Sequence, residues 1–182
     1  MRYTKKDKVP AGIVVVYTGD GKGKTTASLG IAMRASGQGQ KVVMVQFLKQ
    51  RGYVGEVKSA SLLAPNFELH QFGRAEFANL SGKQEEIDRQ LAREGFEFAK
   101  RAMARAPDIL ILDEINVALS LGLLKLKDVI ALVKSRPKDT SMVLTGRGAP
   151  KELLALADIA TEMRELKHHY RQGFGAKIGI DY

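Results

Sequence analysis

The sequence contains no cysteine, no tryptophan and no apolar run long enough to span a membrane. Without cysteine, disulfide bonds, thiolate-bound zinc and thiol nucleophiles are all excluded. These absences favour a cytoplasmic location, since structural disulfides are typical of secreted proteins. Residues 1–10 are basic, but only a short apolar segment follows them before a glycine-rich stretch, so we expect neither a signal peptide nor a membrane partner.

Acidic residues are fewer than basic ones. The chain has 20 Asp and Glu and 29 Lys and Arg, which gives a formal net charge of +9. Such a balance suits a polyanionic partner, whether nucleic acid, a membrane surface or a phosphorylated ligand. Aromatic residues make up only 7% of the chain, and no basic run alternates with them. A solvated basic surface with a phosphate site is therefore favoured, and nucleic acid is not expected as a partner.

The length of 182 residues, 45% of them hydrophobic, suits one well-buried core. We predict a basic, flexible tail at residues 1–10 and a single domain at residues 11–182. Apolar runs alternate with helical patterns, which is typical of an α/β fold with a mostly parallel central sheet flanked by helices. The predicted strands cover residues 12–18, 41–47, 67–72, 108–112, 141–145 and 159–163.

The predicted helices cover residues 24–37 and 84–105, one or two segments within 117–135, and a short segment in which Pro150 is the first residue. Met33 lies on the predicted apolar face of the first helix, and Ile87 and Phe98 lie on that of the second. Residues 48–55 are expected to form a loop. Residues 163–182 are expected to form a structured loop or an edge hairpin and no helix.

The strongest motif is a glycine-rich stretch between the first predicted strand and the first predicted helix. Glycines let successive backbone N–H groups turn inward onto an anion, and a helix N-terminus adds partial positive charge. We expect this stretch to bind nucleotide phosphates, with Lys24 on the terminal phosphates and Thr25 on Mg²⁺. Thr18 stands where such loops usually have their first glycine, which predicts an altered loop shape. The motif reads Thr18-Gly19-Asp20-Gly21-Lys22-Gly23-Lys24-Thr25-Thr26.

Two acidic residues, Asp113 and Glu114, end the fourth predicted strand. Acids at the carboxyl end of a strand beside a phosphate loop bind Mg²⁺ directly or through water. We predict a metal role for Glu114, together with Thr25, and note that one of the two acids could also cap the next helix.

Two further residues bear on the class of ligand. A dinucleotide-binding loop is excluded because no acid ends the second predicted strand, where Gln46 is found. Arg147 follows the fifth predicted strand within a Gly-Arg-Gly turn at the same sheet edge as the phosphate loop. It either contacts the nucleotide or a second substrate, or forms a salt bridge within its loop.

Residues 18–26 (TGDGKGKTT), 111–124 (ILDEINVALSLGLL), 144–163 and 166–182 together resemble one family. It is the P-loop ATP:corrinoid adenosyltransferases of cobalamin biosynthesis and salvage, and the similarity extends from residue 12 over nearly the whole chain. The resemblance implies a RecA-like P-loop fold, usually a homodimer. It also implies an enzyme that transfers the 5′-deoxyadenosyl group of ATP to the cobalt(I) of a corrinoid and releases triphosphate.

The same resemblance implies ATP as cosubstrate, Mg²⁺ or Mn²⁺ as the metal, a corrinoid as the second substrate and a flavoprotein as reductant. Cobalt(I) is itself a strong nucleophile, so Lys24 and Glu114 would act catalytically by stabilising the leaving triphosphate. Family members hold the corrin in an aromatic pocket. Residues 72–77 (FGRAEF) depart from the family's Gly-Phe-Thr-Trp-Glu, so Phe72 or Phe77 is expected to supply the aromatic ring.

Two other classes of function stay open on the residues. A RecA-like ATPase acting on nucleic acid would use Glu114 to activate water, but it needs stacking aromatic residues that the sequence does not clearly offer. A non-catalytic nucleotide-binding regulator would use ATP or corrinoid as a signal. Salt-sensitive DNA binding would support the first class, and tight ATP binding without product the second.

Overall fold

The computed structural model describes residues 11–49, 54–74 and 82–181, with the side chains of residues 82 and 83 excepted. Within these ranges the chain forms a six-stranded sheet in which every pairing is parallel. The predicted α/β class is thereby confirmed. The strands are β1 (Val14–Thr18), β2 (Val42–Phe47), β3 (Phe67–Phe72), β4 (Ile109–Asp113), β5 (Ser141–Thr145) and β6 (Ile159–Glu162), in the spatial order β3-β2-β4-β5-β1-β6.

Helices cover both faces of this sheet. The helix that follows the glycine-rich loop has the predicted bounds. Two helices occupy the predicted region 117–135, and the first of them begins before it, at Ile115. The predicted C-terminal bound of the loop at residues 48–55 is wrong, because a helix begins at Gly55. Pro150 is the N-cap of its helix and not the first residue within it. The helices are α1 (Lys24–Gly37), α2 (Gly55–Leu62), α3 (Gly82–Ala104), α4 (Ile115–Ser120), α5 (Leu126–Lys134) and α6 (Lys151–Leu156).

Alternate residues of the strands enter two separate cores. Val14 and Val16 of β1 pack with α3, α4, α5 and α6 on one face, whereas Val15 packs with α1 and α2 on the other. A parallel sheet covered on both faces needs apolar residues at every position. This explains why the strands read as continuous apolar runs in the sequence.

The buried faces of α1 and α3 differ from the predicted ones. Met33 is 67% exposed and Ile87 is 45% exposed, whereas Ala92 and Ala99 are buried. A Cβ atom on Gly95 would lie only 2.9 Å from Cγ of Phe72. Helix α3 therefore approaches the sheet closely through small residues, alongside the buried Phe96 and Met103, so residue size alone does not identify its buried face.

The C-terminal segment follows the edge strand β6, which pairs with β1 alone among the described strands. After β6 the described residues contain one 3₁₀ turn, His169–Gln172, and no further strand. Of the two predicted alternatives the structured loop is therefore confirmed, and its short 3₁₀ turn is the one departure from the prediction of no helix. Elsewhere in the described ranges, no helix combines the length and apolarity that crossing a membrane requires.

Candidate active site at the carboxyl edge of the sheet

The glycine-rich loop joins β1 to α1 and packs against the backbone that follows β6. Gly19 and Gly23 have φ angles of 92° and 110°, which favour glycine. The N–H of Gly21 donates to the carbonyl of Met163 at 2.7 Å. A Cβ atom on Gly21 would lie 2.7 Å from that same carbonyl oxygen. Close backbone packing, as well as backbone conformation, therefore requires glycine in this loop.

Lys24 begins α1 and curls back into the loop. Its ammonium donates to the carbonyl oxygens of Gly19 and Gly21, both at 2.6 Å. Burial lowers the pKa of Lys24, an effect that the nearby carboxylates of Glu114 and Asp20 only partly oppose. A buried ammonium at a helix N-terminus is a strong partner for a phosphate oxygen, which exceeds a peptide carbonyl in negative charge.

Asp113 ends β4 and is fully buried. Its Oδ1 accepts from the hydroxyls of Thr25 at 3.0 Å and Thr145 at 2.6 Å. Its Oδ2 accepts from Nε2 of Gln46 at 3.0 Å and from Nζ of Lys49 at 2.8 Å. Because a buried carboxylate is costly unless it is paired, these contacts are what allow Asp113 to lie here.

The parallel sheet explains why these side chains converge. The carboxyl ends of parallel strands lie at one edge, and the pairing register sets Gln46 of β2 beside Asp113 of β4. Strand β5 lies between β4 and β1, so Thr145 reaches Asp113 while β1 continues into the glycine-rich loop. Sequence reasoning missed Gln46, Thr145 and Lys49 as site residues. For Gln46 and Thr145 the available signal was a polar residue at the end of a buried apolar strand, whereas Lys49 lies in the following loop and offered no such signal.

A row of glutamines extends this network across the sheet. Gln71 of β3 donates from Nε2 to Oε1 of Gln46 at 2.8 Å. That contact leaves the Nε2 of Gln46 to donate to Asp113 and, at 3.2 Å, to Oε1 of Glu56. Hydrogen-bonded chains of this kind hold each member in one orientation. Gln46 therefore keeps its donor directed at the Asp113 carboxylate.

Glu114 follows directly and has a left-handed φ of 64°, at the N-cap of α4. Its backbone N–H donates to the hydroxyl of Thr145 at 3.0 Å. Burial raises the pKa of Glu114, and the adjacent Asp113 raises it further, while Lys49 and Lys24 oppose the shift. The structure thus brings Glu114 to the site, but the carboxylate in contact with Thr25 belongs to Asp113. A catalytic and metal role for Glu114 stays a prediction.

Arg147 and Lys22 lie at the rim of the phosphate loop. Nε of Arg147 is 3.9 Å from Oδ1 of Asp20, and both side chains are exposed. Lys22 pairs with Asp181 of the C-terminal segment. Thr26 is exposed in the first turn of α1. That Asp20, Lys22, Thr26 and Arg147 contact the nucleotide stays a prediction.

Phe72 and Phe77 are the two residues predicted to supply an aromatic ring to a corrin pocket, and the structure describes only the first. Phe72 ends β3 and is 9% exposed, with its ring 5.7 Å from that of Phe98. It is chiefly a core residue against α3, so a corrinoid contact of Phe72 stays a prediction. Phe77 lies outside the described residues.

The donors at the site fit a magnesium ion. The Thr25 hydroxyl and the Asp113 carboxylate are hard oxygen ligands, and Mg²⁺ is typically held by one or two such groups plus phosphate and water oxygens. In the described part of the chain, no group of three or more His, Cys, Asp or Glu could hold a metal. The ion would therefore depend on its ligand's phosphates.

A parallel sheet with a glycine-rich loop, a lysine at the helix start and a threonine–aspartate pair defines a P-loop nucleotide triphosphate-binding protein. The family model described as ATP:corrinoid adenosyltransferase BtuR/CobO/CobP matches residues 10–182. The chain belongs to this family.

Curated relatives agree with that assignment. A corrinoid adenosyltransferase of Escherichia coli strain K12 is 39% identical over 172 residues, which cover 94% of this chain and 86% of the relative. The corrinoid adenosyltransferase CobA of Salmonella typhimurium is 37% identical, with the same coverage of each chain. One from Pseudomonas aeruginosa is 34% identical over 94% of this chain and 84% of its own. An ATPase acting on nucleic acid finds no support in these relatives.

Proposed function

We propose that the protein transfers the 5′-deoxyadenosyl group of ATP to the cobalt(I) of a corrinoid and releases triphosphate. The observation that carries this proposal is the position of Lys24. Its ammonium lies inside the glycine-rich loop at the start of α1, next to the Thr25–Asp113 pair. The family and its relatives supply the identity of the second substrate.

The adenosyl transfer requires few catalytic groups from the protein. Cobalt(I) attacks the 5′ carbon of the ribose, a cobalt–carbon bond forms, and the C5′–O bond breaks with its electron pair going to the triphosphate. No proton has to be removed from the nucleophile, so no general base is needed. The protein must bind both substrates, align them and stabilise the negative charge of the leaving group.

The residues of the phosphate loop can stabilise that leaving group. Lys24 places a positive charge beside the backbone N–H groups at the start of α1, where an anion is favoured. Thr25 and Asp113 would hold Mg²⁺, which supplies Lewis-acid stabilisation of phosphate oxygens when bound. Glu114 adds a second carboxylate, which would contact the hydrated ion. Arg147 and Lys22 at the rim would contact the nucleotide.

The remaining parts of the proposal are supported by the resemblance to the family. They are a corrin pocket that uses Phe72 or Phe77, a homodimer, a flavoprotein reductant and a location in the cytoplasm. A homodimer would be tested by sedimentation at micromolar concentration. The reductant would be tested by replacing chemical reduction with a reduced flavoprotein in the transfer assay.

The central test is anaerobic incubation with ATP, Mg²⁺ and a chemically reduced cobalt(I) corrinoid. We expect a light-sensitive alkyl-cobalt spectrum and one intact triphosphate per product. Lys24→Ala should lower the rate at least about 100-fold, the scale for loss of one group that stabilises transition-state charge. Lys127→Ala, an exposed lysine on α5, is the matched control and should leave the rate unchanged. An unchanged corrinoid with release of ADP and phosphate would contradict the proposal.

A further inference from the structure

Lys49 lies just beyond the end of β2, and its side chain reaches the Thr25–Asp113 pair. Its Nζ is 2.8 Å from Oδ2 of Asp113 and 3.2 Å from Oγ1 of Thr25. A third oxygen, Oε1 of Glu56, is 3.9 Å away. The ammonium thus lies among three oxygen atoms of three different elements, in the kind of surroundings that suit a cation.

Two of these oxygen atoms belong to the pair that fits a magnesium ion. Mg²⁺ needs its ligands at about 2.1 Å in near-octahedral positions. The ammonium of Lys49 already contacts both the Thr25 hydroxyl and the Asp113 carboxylate. A lysine and a divalent cation would repel each other strongly if they shared those oxygens. One of them must therefore leave before the other binds.

The charges around Lys49 show that it is held as a cation. Its ammonium pairs with the Asp113 carboxylate at 2.8 Å, and the Glu56 carboxylate lies 3.9 Å away. Asp113 is fully buried, and only 24% of the Lys49 side chain is exposed. Lys49 therefore neutralises a carboxylate that has no access to water.

We propose that Lys49 is a tethered cation that competes with the divalent metal for Thr25 and Asp113, so that the metal binds only when Lys49 moves aside. This proposal rests on the metal role assigned to these two residues in the proposed function. Its consequence is a weak affinity for the free metal ion. The ion would bind effectively only together with a triphosphate, whose oxygens compensate for displacing the lysine.

The test is the affinity of the protein for Mn²⁺ alone, measured from the electron paramagnetic resonance signal of the free ion. We expect Lys49→Met to bind Mn²⁺ about tenfold more tightly than the unaltered protein, which corresponds to ~1.4 kcal/mol. Lys58→Met removes an equally basic but exposed side chain from α2 and should leave the affinity unchanged. Unchanged or weaker Mn²⁺ binding in Lys49→Met would overturn the proposal, because a lysine that merely positions Asp113 would aid the metal.

Two additional variants keep the result interpretable. Lys49→Gln retains a hydrogen-bond donor without the charge, so it should also bind Mn²⁺ more tightly even if the methionine variant folds poorly. Lys49→Met combined with Asp113→Asn should lose the gain, and a retained gain would place the ion elsewhere and overturn the proposal. Since no corrinoid or ATP is present, the outcome does not depend on whether the protein transfers an adenosyl group.

Discussion

The phosphate loop and the cluster of side chains around Asp113 each hold one lysine that is mostly removed from solvent, and the pKa values of these two lysines shift in opposite directions. Lys24 donates to two peptide carbonyls, and burial lowers its pKa. Lys49 is also desolvated, but its contact with Asp113 raises its pKa. The chemical nature of the partner therefore decides whether a buried ammonium is stabilised, and burial alone does not.

The difference assigns separate tasks to the two regions. A lysine whose surroundings disfavour its charge gains most when an anion arrives, as a phosphate-binding residue should. A lysine already paired with a buried carboxylate contributes to the stability of the folded protein. In the proposed function the phosphate loop is thus suited to receive an anion, whereas the polar groups around Asp113 already have partners within the chain.

The largest expected effect comes from replacing each lysine by methionine and measuring the free energy of unfolding in urea. Lys49→Met should lower it by about 2 kcal/mol, somewhat less than the ~3–5 kcal/mol for breaking a fully buried ion pair, because Lys49 is partly exposed. Lys24→Met should change it by less than about 0.5 kcal/mol, since removing a disfavoured charge offsets two lost hydrogen bonds. Equal losses in the two variants would refute the comparison.

A smaller effect is expected from adding one methyl group to the phosphate loop. In Gly21→Ala the new Cβ would meet the Met163 carbonyl oxygen at 2.7 Å, so the loop must shift. We expect a loss of about 1 kcal/mol in stability, as for other overpacked positions, and weaker ATP binding by calorimetry. Gly30→Ala, where nothing lies within 4 Å of the added Cβ in the middle of α1, is the control. It should stabilise the protein by about 0.5–1 kcal/mol.

The smallest effect is expected at a surface ion pair, Arg105–Glu68, which serves as the exposed counterpart of the Lys49–Asp113 pair. Glu68 accepts from Arg105 at 2.8 Å at the surface, and this hydrogen bond holds the pKa of Glu68 below its ordinary value of 4.5. His70, 3.6 Å from Glu68, lowers that pKa further when protonated. A lowered carboxyl pKa stabilises the protein above pH 4.5, and this contribution is lost as the pH falls below that value.

Arg105→Gln should therefore cost a few tenths of a kcal/mol at pH 7, and the difference from the unaltered protein should shrink toward zero in acid. Urea unfolding at a series of pH values would measure it. Added salt should also reduce the difference, because both side chains are exposed to solvent. A loss as large as that of Lys49→Met would mean that burial does not separate the two ion pairs.

Much of the fold could be predicted from local patterns. Strands β3 and β5 and helix α1 have the predicted bounds, because apolar runs, glycines and prolines mark where such elements begin and end. The buried face of α3 could not be predicted, because its contact with the sheet is set by the space that Phe72 leaves beside Gly95. Helix α2 was missed because Ala60 is its one buried residue, which leaves almost no periodic signal.

The sequence by itself determined the class of fold, the phosphate loop and the family, because these depend on residue type and spacing along the chain. Only the tertiary structure decided which acid contacts Thr25, and which lysine neutralises it. Asp113, Gln46, Thr145 and Lys49 come from different strands and loops and meet only because β5 lies between β4 and β1 and the register sets Gln46 beside Asp113. The raised pKa of Lys49 follows from its contact with Asp113, a residue distant along the chain.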